Sequence, residues 1–185
     1  PSVFEYRFLK SLHLDPKKAR FVVSGMGKIR ALHACHKIRP KPDHILLAGY
    51  AGSLSGTLKV GDLIEPDVFI EQDYDARPLE PFPHCLRSTS RKLFRRSKRA
   101  TMLTQDRFLT ANPFAGTPLA RRYRNLACDM ESYAVVFFCR SERVSLSVLK
   151  FISDSADGNA NHDFLKACRK LAPELKKTVS EAIER

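Results

Sequence analysis

The sequence predicts an α/β fold: one domain, residues 1–185, built as a central twisted mixed β-sheet flanked by helices. Three observations carry this. Apolar, β-rich runs recur, and each stops at a glycine-rich or acidic loop, the habit of strands in an open α/β sheet. The C-terminal stretch places Phe164, Leu165, Cys168, Leu171, Leu175, Val179 and Ile183 three or four apart, the spacing of one helix face. The 185 residues, 43% hydrophobic and 28% charged, suffice for a full core without disulfide or metal support.

Taken in order, Ser2 caps a predicted short helix with Phe4, Phe8, Leu9 and Leu12 on one side, ended by Leu14-Asp15-Pro16. Arg20–Ser24 is β-rich and stops at Gly25-Met26-Gly27-Lys28, after which Ile29–Lys37 reads as helix. His44–Ala48 is the second strand and runs into the loop Gly49-Tyr50-Ala51-Gly52. These two units suggest a mostly parallel arrangement. Leu63-Ile64 and Val68-Phe69-Ile70 read as a strand pair, and Pro78, Pro81 and Pro83 mark an exposed loop. Ala100–Thr104 is a short strand. Met130–Phe138 is a buried helix entered through Cys128-Asp129. Val144–Ile152 is the most β-like run, ending at Ser153-Asp154-Ser155-Ala156-Asp157-Gly158. No internal repeat or low-complexity segment is visible.

Composition narrows the function classes. No apolar run approaches the roughly 20 residues of a membrane-spanning helix, and the first ten residues, with Glu5, Arg7 and Lys10, do not form a signal peptide. Five scattered cysteines without a C-x-x-C suggest reduced thiols and a cytoplasmic protein. His33 and His36 share a helix face, but no third ligand stands nearby in sequence, so no metal is expected. The net charge of +12 favours contact with anions. Seven of the thirteen residues from Arg87 to Arg99 are basic. That run reads as a solvated helix face or as a phosphate-binding surface, though it lacks interleaved aromatics and any nucleic-acid reader motif.

Ligands in parallel α/β sheets bind at the carboxyl ends of strands, so Ser24–Lys28, Gly49–Gly52, Gln105–Leu109 and Ser153–Asp157 are the candidate site segments. Two acids join them, Glu5 in an apolar and aromatic segment and Glu131 at the start of a very apolar helix. The collinear motifs Ser24-Gly25-Met26-Gly27-Lys28, Ala48-Gly49-Tyr50-Ala51-Gly52, Leu58-Lys59-Val60-Gly61-Asp62, Asp129-Met130-Glu131 and Ile152-Ser153-Asp154-Ser155-Ala156-Asp157 resemble the nucleoside phosphorylase superfamily. Within it they are most similar to methylthioadenosine/S-adenosylhomocysteine nucleosidases and futalosine hydrolases.

The resemblance implies a nucleoside phosphorylase-like fold and a hydrolase that cleaves the N-glycosidic bond of 5′-modified purine nucleosides, acting as a homodimer without cofactor or metal. Asp154 then matches the general acid that protonates purine N7, with Ser153 beside it. Glu131 matches the acceptor of both ribose hydroxyls, and Met130 packs on the sugar. Phe108 stacks on the purine, the Leu109 backbone reads its edge, and Phe164 lines the sugar and 5′ pocket. Glu5 aligns with the base that orients water. Tyr50 replaces a small hydroxyl residue in the second glycine loop, and Lys150 stands where an arginine is expected near the water. An N-terminal strand is expected ahead of Pro1, and the segment between Asp62 and Gln105 is short for the family. Phosphorolysis is the alternative within the superfamily. A basic nucleic-acid-binding protein on an inactive nucleosidase scaffold is the alternative of another class.

Overall fold

The sheet comprises β1 (His44–Ser53), β2 (Leu63–Glu71), β3 (His84–Arg87), β4 (Lys98–Thr104), β5 (Leu126–Asp129) and β6 (Ser145–Asp154). Around it lie α1 (Lys28–His36), α2 (Pro118–Arg122), α3 (Ser132–Glu142) and α4 (Ala160–Ile183). The computed structural model describes residues 7, 9–10, 12, 14–80, 84–88, 92–158 and 160–185.

The strand order is β3-β2-β4-β5-β1-β6, and β6 also pairs with β2, so the sheet curls back on itself. The pairs β1–β6, β2–β4 and β4–β5 are parallel, whereas β2–β3, β1–β5 and β2–β6 are antiparallel. The sheet is therefore mixed, as expected for the fold as a whole, rather than mostly parallel.

Both faces are covered. On one, α1 and α3 bury Ala31, Cys35, Val135 and Phe138 against Leu47, Ile64, Phe69 and Met102. On the other, α4 lays Cys168, Leu175 and Val179 on Tyr50, Leu149 and Phe151, and Leu9 joins this cluster. Apolar residues recur at helical spacing along α4, and this face anchors it as expected, except that Leu165 is exposed. Two faces covered in this way explain the nearly continuous burial of β1 and β6 from Leu47 and Ser147 onward.

Several sequence-based boundaries are corrected. Arg20–Ser24 is not a strand: it pairs with no strand among the described residues, and Val23 is exposed. Apolar β-branched residues become a strand only where a partner edge meets them. The glycines at 49 and 52 do not end the second strand, because β6 pairs with β1 from His44 through Gly52. Leu63-Ile64 and Val68–Ile70 are one strand, not two, with a register shift between Pro66 and Val68 that accommodates the proline. Cys128-Asp129 belongs to β5, and the helix after it begins at Ser132.

The basic run is not a helix face either. Arg87 ends β3 and Lys98 opens β4. Between them the buried Glu65 carboxylate accepts hydrogen bonds from the Leu93 and Phe94 N–H groups at 2.6 and 2.8 Å and from Ser97 Oγ at 2.6 Å. These bonds hold residues 93–97 as a turn. Most of the predicted N-terminal helix, including Ser2, Phe4, Glu5 and Phe8, lies outside the described residues, as do Pro81 and Pro83, whereas Leu9 is described and buried.

Candidate active site

The carboxyl ends of β1, β5 and β6 meet at one place. Gly52 stands opposite Cys128 across β1–β5 and opposite Asp154 across β1–β6. A β-carbon at residue 52 would lie 2.9 Å from Asp154 Oδ1 and 3.0 Å from Cys128 Sγ, so this crossing requires glycine.

Asp154 is the last residue of β6 and is buried. Its Oδ1 accepts the Ala156 N–H at 2.9 Å, and Oδ2 lies 2.7 Å from Ser153 Oγ. Burial pushes its carboxyl above the ordinary aspartate value, and the Asp157 and Asp163 charges add to the rise. The bonds from Ser153 and Ala156 oppose it without cancelling it. Ser153 Oγ also lies 3.2 Å from the Ala51 carbonyl oxygen. A serine hydroxyl has one proton and two lone pairs. It can donate to an ionised Asp154, or turn to Ala51 and accept from a protonated one, so both charge states find a partner. The neighbouring Cys128 thiol is raised by burial and by the Asp154 and Asp129 charges, which keeps it a neutral wall rather than a nucleophile.

Glu131 stands at the cap position of α3, and its Oε1 accepts the Gly27 N–H at 3.2 Å. This bond joins the first glycine loop to the end of β5. Gly27 has φ 99°, a left-handed conformation that presents its N–H to the carboxylate. Lys150 is buried in β6, with Nζ 3.0 Å from Asp129 Oδ2 and 4.0 Å from Glu131 Oε2. Asp129 also accepts from Thr104 Oγ1 at 2.8 Å and from the backbone N–H and hydroxyl of Ser132, which fixes the first turn of α3.

An aromatic series forms another side. The Phe108 and Phe164 ring centroids are 5.8 Å apart at 76°, and those of Phe164 and Tyr50 are 6.2 Å apart at 86°, both edge-to-face. Phe108 is partly exposed. Tyr50 is buried, and its hydroxyl donates to the Cys168 carbonyl in α4 at 3.1 Å, so it ties β1 to the helix that carries Phe164. The Leu109 side chain is in the core with Leu54, Ile70 and Phe114, which leaves its backbone as the group able to read a ligand. Met130 is partly buried beside Glu131.

A network that sequence reasoning missed ties these loops together. Lys28 Nζ contacts Glu71 at 2.8 Å and also Asp73. Asp73 accepts from the Asp106 N–H at 2.8 Å, and Asp106 Oδ1 accepts from the Lys28 N–H at 2.7 Å. Burial would lower Lys28, but its two carboxylate partners outweigh that and hold it above the ordinary lysine value. The signal was the lysine directly after Gly27, with acids just past two strand ends; their pairing appears only once the sheet aligns those ends.

The profile of the Phosphorylase superfamily matches residues 13–184. The chain belongs to this superfamily. A 5'-methylthioadenosine/S-adenosylhomocysteine nucleosidase of Buchnera aphidicola from Schizaphis graminum is 28% identical over 165 residues, covering 78% of this chain and 70% of that protein. Its counterpart from the Acyrthosiphon pisum strain Tuc7 is 27% identical over 182 residues, covering 88% and 78%. In fold, this phosphorylase-superfamily chain is similar to futalosine hydrolase of Helicobacter pylori, with TM-score 0.79, 19% identity and coverage of 98% and 94%. It is also similar to the Neisseria meningitidis 5'-methylthioadenosine/S-adenosylhomocysteine nucleosidase in complex with methylthio-immucillin-A, with TM-score 0.79, 22% identity and coverage of 96% and 93%. The structural likeness agrees with the α/β fold and the mixed sheet expected from the motifs.

Among the described residues, no group of three or more His, Cys, Asp or Glu side chains is arranged to hold a metal ion. No described helix is long and apolar enough to cross a membrane.

Proposed function

We propose that this chain, as one nucleosidase domain, hydrolyses the N-glycosidic bond of 5′-modified purine nucleosides and releases the base. The observation that carries the reading is Asp154: a buried carboxyl with raised proton affinity, held by Ser153 and Ala156 at the point where three strand ends meet. An N-glycosidic bond breaks through an oxocarbenium-like sugar, and a base protonated at N7 departs neutral rather than as an anion. Asp154 supplies that proton. Glu131, with two acceptor oxygens, holds the vicinal ribose hydroxyls and faces the developing positive charge. The buried Lys150 ammonium lies 4.0 Å from Glu131 Oε2 and sets a positive charge beside that carboxylate. Met130 lies against the sugar, Phe108 stacks on the purine, and the Leu109 backbone meets the base edge. Phe164, edge-to-face with Tyr50, lines the 5′ side. Glu5 is assigned to orient the attacking water from the family motif alone.

The motifs and the relatives support methylthioadenosine, S-adenosylhomocysteine and aminodeoxyfutalosine or futalosine as substrates, with roles in methionine salvage or menaquinone biosynthesis. The aromatic series of Phe108, Phe164 and Tyr50 supports ring contact with an aromatic 5′ group. No cofactor is assigned. Purified protein is expected to release adenine from methylthioadenosine, S-adenosylhomocysteine and aminodeoxyfutalosine in phosphate-free buffer. Release that requires phosphate and yields a ribose-1-phosphate would replace hydrolysis by phosphorolysis. Absence of aminodeoxyfutalosine cleavage would remove the menaquinone role.

The free cysteines, four of them buried, support a cytoplasmic location. A homodimer is supported by large apolar side chains left exposed on the packed pair α1 and α3, Ile29 and Phe137, with Met26 just ahead of α1. Sedimentation equilibrium at micromolar concentration is expected to give twice the chain mass, and a single-chain mass would exclude the dimer.

A further inference from the structure

Three arginines from three separate elements face a cavity of about 440 Å³ whose lining includes none of the candidate active-site residues. Arg87 comes from β3, Arg140 from the last turn of α3 and Arg122 from the end of α2, with Cys85 and Tyr123 completing the lining. Strand alternation explains the first part. Cys85 and Arg87 lie on the exposed face of β3, while His84 and Leu86 face inward. Arg140 is nine residues beyond Glu131, about 13 Å along the helix, so the cavity is not an extension of the candidate active site.

Two of the arginines are held in place. Arg140 Nη1 donates to the Arg87 carbonyl at 3.0 Å, and the Arg122 guanidinium lies 5.5 Å from the Tyr123 ring centroid. Among the described residues, none of the three guanidinium groups has a carboxylate within ion-pair distance. The nearby basic run behaves differently. Arg96 pairs with Glu174, Lys98 pairs with Asp62, and Lys92 donates to the Arg95 carbonyl. Arg87, Arg122 and Arg140 thus share one concave place, whereas Arg96 and Lys98 are balanced by carboxylates.

The geometry points to a second ligand site: an oxyanion pocket that takes the phosphate group of a small phosphorylated molecule. Convergent guanidinium groups without a counter-charge repel one another until an anion joins them, and their planar forks match phosphate oxygens two at a time. The volume falls within the range of small-molecule sites. A nucleic acid backbone would require a continuous basic track, and the carboxylates paired with Arg96 and Lys98 interrupt one. Tyr123 offers an apolar wall for whatever carries the phosphate.

Isothermal titration of the whole chain at low salt tests this with inorganic phosphate, glycerol 3-phosphate and a single-stranded oligonucleotide as separate ligands. Saturable one-to-one binding of glycerol 3-phosphate is expected, at a Kd of about 1 mM or lower. Tighter binding of glycerol 3-phosphate than of free phosphate would assign the site to phosphomonoesters; the reverse order would assign it to the free anion. Arg122→Ala and Arg87→Gln, both at exposed side chains, should each weaken binding by about tenfold or more. Arg140→Lys, which keeps the charge and a donor but loses the fork, should weaken it by a smaller factor. Adenine release by these variants should be unchanged. Three results would overturn the proposal: no saturable binding of either small anion up to about 10 mM, affinities that the arginine variants leave unchanged, or binding of the oligonucleotide alone.

Discussion

Replacing Asp154 with Asn should lower base release by about 10²–10⁴-fold, the usual range for loss of a positioned general acid. The variant should still fold, because an amide oxygen can accept the Ala156 N–H and the side chain keeps its volume. Stability should respond to pH in a defined direction. The Asp154 carboxyl is raised in the folded state, chiefly by burial. The folded chain therefore holds this proton at pH values where the unfolded chain has lost it. The resulting stabilisation is fully present below the unfolded value, about 3.9, and is lost as pH rises through the raised folded value. Asn does not titrate, so urea unfolding of the variant should lack this pH-dependent loss. Turnover of the natural chain should fall on the alkaline side as the acid deprotonates. A variant with rates within about threefold of the natural chain would remove Asp154 from the role.

Loss of Lys150 should be the most destabilising single change at the site. Lys150 and Asp129 are both buried and 3.0 Å apart. Removing one partner of a buried pair leaves the other charge uncompensated, at a cost of about 3–5 kcal/mol. Asp129 keeps its bonds from Thr104 and Ser132, which moderates the loss without replacing the cation. Lys150→Met, which keeps most of the volume, isolates the charge effect and should lower the urea midpoint by the free energy lost divided by the m-value. Adding Asp129→Asn should recover much of it, because the two sites are directly coupled. A Lys150→Met midpoint equal to that of the natural chain would show that the pair adds nothing net.

The site was more legible in the sequence than the strand limits were. Asp154, Glu131 and Phe108 stand at or just beyond strand ends, where side-chain type and position speak together, and Phe164 follows in the first turns of α4. Strand limits failed where propensity and pairing disagree. Gly49 and Gly52 read as breakers, yet β1 continues through both because β6 supplies partners and the Gly52 crossing leaves no room for a side chain. Arg20–Ser24 has the right composition for a strand but lacks a partner among the described residues. Lys150 was expected near the attacking water. Its close contact with Asp129 could not be foreseen, because the sheet joins residues twenty-one apart in sequence through a helix and a turn. The basic run was misread because its organiser, Glu65, lies well upstream on β2.

The β1–β6 ladder has a consequence for how the molecule is assembled. It begins by pairing His44 with Ser145 and ends by pairing Gly52 with Asp154, joining segments about a hundred residues apart. Such a ladder carries a heavy loop-closure entropy and belongs to the slow part of folding. The two residues that define the acid's position are the last rung of that ladder. An intermediate with α3 docked and β2–β4 zipped would still leave the Asp154 carboxyl unplaced. Placement of the candidate acid and completion of this long-range ladder are one event, so β1 and β6 amides should exchange with solvent only through global opening.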